Sequence, residues 1–231
     1  MSIKGFQGTS LLDFPGRVAS LVFYGGCNLR CPYCHNASLV ETPHLYPDLP
    51  TVDILAQLNT RQGFIDGVVI SGGEPTLDPD LPEFLAQIKK MGLQVKLDTN
   101  GLRPKVLAQL LTHKLVDFVG LDIKTALPRY GELHTVAIDG ARVQQSIDLL
   151  LKATIEVEFR TTCAPGLVEE ADIRSIGEIL TGQPSWVLQQ FVSTHALAEE
   201  MQNCLPHSET VLNHFAEIAG EYVDHVVIRG V

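Results

Sequence analysis

The chain has 231 residues, of which 45% are hydrophobic and 19% charged, and its formal net charge is −10. This length and composition are typical of one folded α/β domain, not of a disordered or fibrous chain. The negative charge disfavours non-specific binding to nucleic acid or to an anionic membrane. The first residues lack the pattern of a signal peptide, and no apolar run reaches the roughly 18 residues of a membrane span. We therefore expect a single domain over residues 1–231 and a cytoplasmic protein without nucleic-acid or membrane partners.

Short β-branched runs alternate along the chain with segments of helical periodicity. The predicted strands are Val18–Tyr24, Gly67–Ser71, Gln94–Asp98, Phe118–Ile123, Ile155–Thr161 and Trp186–Phe191. The predicted helices among them are Val52–Arg61, Leu81–Met91, Pro104–His113, Ala141–Lys152 and Asp172–Leu180. A late helix over His207–Gly220 and a terminal strand over Val223–Ile228 complete the pattern.

Repeated strand–helix units predict parallel strands joined by right-handed crossovers. Six such units are fewer than a closed eight-fold barrel requires. We therefore predict an α/β fold in the form of an open, partial TIM barrel of the (β/α)6 type, with a cysteine loop after its first strand. The pattern alone also permits a doubly wound sheet.

Three of the five cysteines are clustered in the segment Cys27-Asn-Leu-Arg-Cys31-Pro-Tyr-Cys34-His-Asn36, whereas Cys163 and Cys204 stand alone. Closely spaced thiols on a loop suit an iron–sulfur cluster or zinc. Disulfides are rare in the cytoplasm, so the cluster of thiols indicates metal or redox chemistry. A [4Fe–4S] cluster bound by three cysteines would leave one iron open to a ligand that is not protein.

Other interpretations of these cysteines remain open at this point. Cys31-Pro-Tyr-Cys34 matches a glutaredoxin-like dithiol, and with His35 it matches the C-x-x-C-H string of haem attachment. Haem attachment would need an export signal, and a dithiol protein would leave Cys27 unexplained. Structural zinc, held by the three cysteines and His35, is a further alternative.

A Gly72-Gly73-Glu74-Pro75 turn follows the second predicted strand. Glycines tolerate φ > 0 and let the backbone approach a ligand closely. Glu74 offers a carboxylate to an ammonium group, so the turn suits the amine and carboxylate of an amino-acid moiety. Such turns are common, so this motif indicates a ligand site only in combination with the three clustered cysteines.

Polar side chains recur on one face of three predicted strands, because side chains two apart share a face. They are Asp98 and Asn100 on the third strand, Asp122 and Lys124 on the fourth, and Glu156, Glu158 and Arg160 on the fifth. Helices cover the outer face of a parallel sheet, so we expect this set to face inward and to gather at the carboxyl ends of the strands, where active sites lie. Two purely structural interpretations remain open: Asp122 and Lys124 form an internal ion pair, and the glutamates face solvent if the fifth strand is an edge strand.

The cysteine spacing, Tyr33 before the third cysteine and the Gly-Gly-Glu-Pro turn together resemble the radical S-adenosylmethionine (SAM) superfamily. Within it, the chain is most similar to the activating enzymes of glycyl-radical proteins, and most of all to those of anaerobic ribonucleoside-triphosphate reductase. The segments that carry this resemblance are Thr9–Gly16, Cys31–Asn36, Lys96–Gly101, Asp122–Lys124 and Arg160–Thr162.

The resemblance implies a set of site residues. Cys27, Cys31 and Cys34 would be the catalytic, metal-ligating residues that hold three irons of a [4Fe–4S] cluster, with SAM on the fourth. Glu74 would accept hydrogen bonds from the SAM amine, beside Gly72 and Gly73 at the methionine end. The remaining implied contacts are Asp98, Asn100, Asp122 and Lys124 on the floor, Tyr33, Asn36 and Arg160 nearby, and His195 on the adenosine side. A monovalent cation could bind by Asp98, Thr99 and Asp122.

The resemblance also implies an activity. The reduced cluster would cleave SAM into methionine and a 5′-deoxyadenosyl radical, which would take hydrogen from a glycine Cα of a partner. The expected partner is a glycyl-radical enzyme, above all anaerobic ribonucleotide reductase, with a flavodoxin or ferredoxin as electron donor. The alternatives are radical SAM chemistry on a small molecule, for example in 7-deazapurine synthesis, and a non-radical zinc or dithiol protein. Cys163 is expected to be a buried spectator thiol.

Overall fold

The computed structural model describes residues 2–134 and 138–231. At its centre lies one eight-stranded sheet in which the strands follow chain order. The strands are β1 Ile3–Ser10, β2 Ala19–Tyr24, β3 Gly67–Gly72, β4 Gln94–Thr99, β5 Phe118–Asp122, β6 Glu156–Cys163, β7 Ser185–Gln190 and β8 His225–Arg229. Strands β2 to β8 are parallel, and β1 alone pairs in the antiparallel direction, with β2.

Helices follow the parallel strands along the chain. They are α1 Ala37–Glu41, α2 Thr51–Asn59, α3 Leu81–Lys90, α4 Pro104–Thr112, α5 Ala141–Leu150, α6 Glu170–Leu180, α7 Glu199–Gln202 and α8 Glu209–Ala219. Short 3-10 helices occupy Pro43–Leu45, Pro75–Leu77 and Leu127–Leu133. Within residues 2–134 and 138–231, no helix has the length and apolar character needed to cross a membrane.

The sheet is open, since β1 and β8 stand at the two ends of the strand order. A closed barrel would join its last strand to its first. The predicted α/β fold, an open partial barrel, is therefore confirmed, and each predicted strand and helix overlaps an observed one. Strand β1 was not predicted: its glycines, Gly5 and Gly8, give it a weak strand signal, and its hydrogen bonds come from β2.

The outer face of the sheet carries the larger core. Outward-facing residues such as Val68, Ile70, Leu97 and Leu121 are completely buried. Each such side chain contributes roughly 1.5–3 kcal/mol through burial of apolar surface. On α3, the predicted apolar positions form the face that packs on the sheet, as shown by the burial of Leu81, Phe84, Leu85 and Ile88.

The inner face carries a smaller apolar cluster near the amino ends of the strands. Phe14, from the loop between β1 and β2, is 1% exposed and packs edge-on against Phe118, with ring centroids 5.7 Å apart. Leu21 and Val69 complete the contact. Phe118 shares its face with Asp122, four residues further along β5. The loop therefore closes the amino end of the barrel and leaves the carboxyl end for polar side chains.

The polar face of β6 is divided along the strand. Glu156 lies at the amino end of β6 and pairs with Arg17, whereas Glu158 is buried and pairs with Arg229, with Oε2 and Nη2 2.6 Å apart. Of these three residues, Arg160 alone lines the carboxyl-end cavity, beside Thr162 two residues further along β6. The prediction that the whole polar set gathers at that end is therefore wrong for the two glutamates, because successive same-face residues on a strand lie almost 7 Å apart.

Candidate active site

A cavity of about 260 Å3 opens at the carboxyl ends of the parallel strands. Its lining includes every residue predicted for the site except Glu74 and His195. The predicted residues that line it are Cys27, Cys31, Tyr33, Cys34, Asn36, Gly72, Gly73, Asp98, Asn100, Asp122, Lys124 and Arg160. The loop after β2 and the ends of β3 to β6 thus converge on one concave surface.

The three clustered thiols lie in the wall of this cavity. Burial raises the pKa of the Cys27 thiol to about 11 and that of Cys31 to about 12. Burial also raises the pKa of Cys34, although the Lys124 ammonium opposes the shift. These thiols are therefore protonated at neutral pH, and a metal that binds to them must displace protons. Among the described residues, no three His, Cys, Asp or Glu side chains are grouped so that they could hold a single metal ion.

The two lone cysteines lie outside this lining. Cys163 is completely buried, and its thiol donates to the main-chain oxygen of Thr161 at 3.8 Å. The Cys204 thiol donates to the main-chain oxygen of Leu205 at 3.6 Å. The cavity therefore presents thiols from one loop only.

The glycines of the Gly-Gly-Glu-Pro turn allow it to pack closely against the backbone at the end of β2. The Gly73 N–H donates to Tyr24 O at 2.8 Å, and the Glu74 N–H donates to Gly26 O at 2.9 Å. Gly72 has φ +111°, and a Cβ atom on it would lie 2.4 Å from Tyr24 O. Glycine is thus required here because the turn packs on the backbone that leads into the cysteine loop.

The carboxylate of Glu74 is completely buried and bonded within the protein. Its Oε1 accepts hydrogen bonds from the hydroxyls of Thr76 and Thr99 and from the Thr76 N–H, and its Oε2 accepts one from the Asn100 N–H at 2.8 Å. Burial raises the pKa of Glu74, and these donors oppose the shift. Glu74 therefore does not line the cavity in this structure, and its carboxylate joins the turn to the end of β4.

Three side chains fix the cysteine loop to the barrel. Asn36 Nδ2 donates to Gly72 O at 3.0 Å, and the Tyr33 hydroxyl donates to Lys124 O at 3.4 Å. His35 Nε2 is hydrogen-bonded to Val192 O at 2.8 Å. The loop is thereby attached to β3, to the end of β5 and to the segment after β7.

A network of alternating charges forms the cavity floor. Arg160 donates to Asp122 Oδ1 from Nε at 2.8 Å and to Asp98 Oδ1 from Nη1 at 3.0 Å. Lys124 Nζ donates to Asp122 Oδ2 at 3.0 Å, and Lys96 Nζ donates to Asp98 Oδ1 at 2.8 Å. Burial would raise the pKa of Asp122, but the Arg160 and Lys124 cations hold it well below its usual range. Asp122 is therefore ionised, and each of the two carboxylates is paired with cationic side chains.

This network bears on the monovalent cation expected at Asp98, Thr99 and Asp122. The guanidinium of Arg160 already lies between the two carboxylates, and the Thr99 hydroxyl donates to Glu74. The three side chains named for the cation therefore already have partners within the protein.

Sequence reasoning missed several residues of the site. Lys96, 2% exposed inside the barrel, stands two residues before Asp98 and so could have been found from the strand periodicity. Gly120 leaves room for the network, since a Cβ atom there would lie 2.6 Å from Asp98 Oδ1. Further lining residues that were not predicted to contact the cofactor are Leu29, His35, Val40, Ser71, Thr162 and Gln189. Thr99, which was predicted only as a cation ligand, also lines the cavity.

His195 was expected beside the adenosine of the cofactor. It is exposed in the segment that follows β7, and it does not line the cavity. The neighbouring residues Ala196 and Phe191 are buried and hold this segment, so the His195 side chain is directed outward. No periodicity in a loop predicts such a direction.

Comparisons with known proteins identify the family. The model of the radical SAM superfamily matches residues 21–176. A Methanocaldococcus jannaschii protein that carries the provisional name glycyl-radical enzyme activating enzyme is 34% identical over 98% of this chain and 95% of its own length. The pyruvate formate-lyase 1-activating enzyme of Escherichia coli strain K12 is 29% identical over 74% of this chain and 70% of that enzyme.

Solved structures share the fold at low sequence identity. SuiB of Streptococcus suis has a TM-score of 0.69 and 15% identity over 91% of this chain, which spans about half (49%) of the length of SuiB. A structure of TYW1 with a lysine–pyruvate adduct bound has a TM-score of 0.63 and 17% identity, over 89% of this chain and 74% of TYW1. SuiB has also been solved with SAM, and the methyltransferase TsrM of Kitasatospora setae with a [4Fe–4S] cluster.

The extent of the superfamily match and the near full-length similarity to an activating enzyme agree with the three-thiol cavity. Radical SAM enzymes use a [4Fe–4S] cluster and SAM. The chain is therefore a radical SAM enzyme, and it belongs to the family of the glycyl-radical enzyme activating enzymes.

Proposed function

We propose that this enzyme binds a [4Fe–4S] cluster and SAM in the carboxyl-end cavity and generates a glycyl radical on a partner enzyme. The observation that carries the proposal is that three thiols of one loop line the same cavity as the glycine turn and the charged floor. One cavity therefore offers thiols to a metal cluster and charged groups to a zwitterionic cofactor.

The donor set fits the cluster. Cys27, Cys31 and Cys34 supply three soft ligands, and the thiols of Cys163 and Cys204 are bonded elsewhere. Three ligands leave one iron open to the amine and carboxylate of SAM. When bound, the cluster supplies the one-electron reduction that cleaves the sulfonium of SAM.

The floor supplies charge for the amino-acid end of SAM. Lys124 has three N–H donors, and its bond to Asp122 leaves donors for a carboxylate in the cavity. Asp122 and Arg160 hold Lys124 in place and keep the floor near neutrality. Gly72 and Gly73 offer a surface without side chains to the methionine end.

Four further residues act around this core. Tyr33 and Asn36 fix the cysteine loop, and Asp98 completes the charged floor. Glu74 acts indirectly, by holding the glycine turn against the end of β4. His195 is excluded from this set, since it lies outside the cavity lining.

The partner follows from the relatives and from the open sheet. The two relatives described above, from Methanocaldococcus jannaschii and Escherichia coli, carry the names of activating enzymes, so the partner class that they support is a glycyl-radical enzyme. A polypeptide loop needs a route to the cavity, and a sheet whose edge strands β1 and β8 are unjoined offers a lateral one.

The finer assignments are part of the same proposal. The specific partner is anaerobic ribonucleoside-triphosphate reductase, supported by the sequence segments Thr9–Gly16 and Lys96–Gly101. A flavodoxin or ferredoxin supplies the electron. One continuous sheet from β1 to β8 supports a single radical SAM domain over residues 1–231.

The test is anaerobic reconstitution with iron and sulfide, followed by reduction and addition of SAM and the candidate reductase. We expect about four iron atoms per chain, formation of 5′-deoxyadenosine and methionine, and a glycine-centred electron paramagnetic resonance doublet on the reductase. A reductase whose radical-site glycine is replaced by alanine is the matched control and should give no doublet.

Three other results would count against the proposal at different levels. Absence of iron uptake and of SAM cleavage would overturn the enzyme assignment. Cleavage with a small-molecule product and no protein radical would overturn the partner class. A doublet on pyruvate formate-lyase but not on the reductase, in parallel reactions, would overturn the specific partner.

A further inference from the structure

Asn100 contacts both the buried Glu74 carboxylate and the cysteine loop. It follows β4 directly and is 5% exposed. Its Nδ2 lies 2.8 Å from Asn28 Oδ1 and 3.7 Å from Cys27 Sγ. The amide N–H2 group has two hydrogens, so it can serve both acceptors at once.

The orientation of this amide is set by its other contacts. The Asn100 side-chain oxygen accepts a hydrogen bond from the Leu102 N–H at 3.0 Å, which directs the N–H2 group toward the cysteine loop. The Asn100 main-chain N–H donates to the buried Glu74 carboxylate at 2.8 Å. The residue is thus held at its main chain and at its side chain, and the donor is in place before a ligand binds.

The Cys27 sulfur differs from the other two in its surroundings. It accepts a hydrogen bond from the Leu29 N–H at 3.4 Å and one from Asn100. In the described ranges, no other side-chain N–H group is bonded to any sulfur of Cys27, Cys31 or Cys34. Asn100 therefore provides a side-chain hydrogen-bond donor to one of the three sulfurs, that of Cys27.

Hydrogen bonds to the sulfurs of an iron–sulfur cluster are among the factors that set its reduction potential. Reduction adds negative charge that spreads onto the thiolates, and an N–H donor stabilises the reduced form more than the oxidised form. The effect is larger in a buried site, where the effective dielectric constant is low.

On the basis of the proposed cluster site, we propose that Asn100 is a positioning residue that raises the reduction potential of the cluster through the Cys27 sulfur. The hydrogen bonds to Glu74 and Leu102 hold the Asn100 amide in the orientation that directs its N–H2 group to the sulfur. Asn100 thereby makes the cluster easier for the electron donor to reduce.

The test compares reconstituted wild-type, Asn100→Ser and Asn100→Asp proteins by iron content and by redox titration monitored with electron paramagnetic resonance. Ser retains an acceptor for the Leu102 N–H but does not reach the sulfur, so we expect reduction to be about tenfold less favourable, which is about 59 mV for one electron. Asp retains the size and the acceptor but adds a negative charge, so its potential should be lower still. Gln189→Ala is the control: Gln189 carries the same amide group in the cavity without a bond to a cysteine, and its removal should leave the potential unchanged.

The outcomes are distinct from those that test the proposed function. If the wild-type protein binds no iron, the proposed cluster site itself is overturned. A full iron content with equal potentials in wild-type and Asn100→Ser proteins would overturn the role of Asn100 alone. Loss of iron from both Asn100 variants would overturn it as well, because Asn100 would then be needed for assembly of the site instead of its potential.

Discussion

Gly73 packs directly against Gly26: a Cβ atom on Gly73 would lie 1.8 Å from the main-chain oxygen of Gly26. The two residues belong to different turns, one after β3 and one after β2. The contact brings the entrance of the cysteine loop against the Gly-Gly-Glu-Pro turn, and the adjacent Glu74 N–H donates to the same Gly26 oxygen. The relative position of the thiols and the turn is therefore set by backbone atoms.

Replacement of Gly73 by alanine should separate these two turns. The added Cβ meets backbone, which cannot yield as a flexible side chain does, so we expect a loss of roughly 3 kcal/mol or more in unfolding free energy. SAM affinity and iron retention should fall with it. The measurements are urea unfolding and iron content after reconstitution.

Gly131→Ala is the matched control, because a Cβ atom there meets nothing within 4 Å and the residue has no positive φ. It should leave both measurements close to those of the wild type. A Gly73→Ala protein with unchanged stability and iron content would show that the backbone contact is not required.

Replacement of Glu74 by glutamine should weaken the anchor between the turn and β4. Four donors converge on the carboxylate, so the N–H2 group of glutamine would have to face one of them. We expect a loss of roughly 1–3 kcal/mol in unfolding free energy, measured by urea unfolding at pH 7. The same substitution at the exposed Glu178 should have no measurable effect; equal stabilities of the two variants would contradict the anchor.

The Asp122 carboxylate should stabilise the protein in a pH-dependent way. Its pKa in the folded protein is lowered, so its contribution is present above the pKa of the unfolded chain, about 3.9, and is lost as the pH falls through the folded-state value. At pH 7 we expect Asp122→Asn to be less stable by roughly 2 kcal/mol, because Arg160 and Lys124 each lose a charged acceptor. The difference from wild type should shrink below pH 4.

Urea unfolding at pH 7, 5 and 3 measures this dependence. Asp48→Asn serves as the control, since Asp48 forms an exposed pair with Lys4, and such surface pairs contribute little. A difference between Asp122→Asn and wild type that is the same at pH 7 and pH 3 would refute the charged network as its origin.

The clustered and lone cysteines should separate cleanly by function. Cys31→Ala should take up little iron and cleave no SAM, because one of three ligands is gone. Cys163→Ala should retain iron and SAM cleavage and lose roughly 1 kcal/mol of stability, as expected for a small buried side chain. Iron content and 5′-deoxyadenosine formation are the measurements, and an inactive but folded Cys163→Ala protein would disprove the spectator role.

Thiol reactivity offers an independent check on Cys163. Burial raises the pKa of its thiol to about 12, so little thiolate is present at pH 8. Native protein should therefore leave Cys163 unmodified by iodoacetamide, whereas urea-unfolded protein should be modified there. Mass spectrometry of the peptides measures both, and rapid native modification of Cys163 would contradict its burial.

Much of the fold could be predicted because its signals are local. The helical spacing of Leu81, Phe84, Leu85 and Ile88 predicts α3 and its buried face, which the structure confirms. The β-branched run near Val68 likewise predicts β3. Strand β1 could not be predicted in this way, because Gly5 and Gly8 weaken its local strand signal and its hydrogen bonds are formed with β2.

The cysteine spacing and the glycine turn were available from the sequence because each lies within a few consecutive residues: C-x3-C-x2-C from Cys27 to Cys34, and Gly-Gly-Glu-Pro from Gly72 to Pro75. Tertiary structure alone decided that Glu74 bonds to Asn100, that Arg160 lies between two carboxylates, and that His195 is directed away from the cavity. The physical reason is that a side chain's hydrogen-bond partners and burial depend on residues far away in the chain, whereas its periodicity depends only on near neighbours.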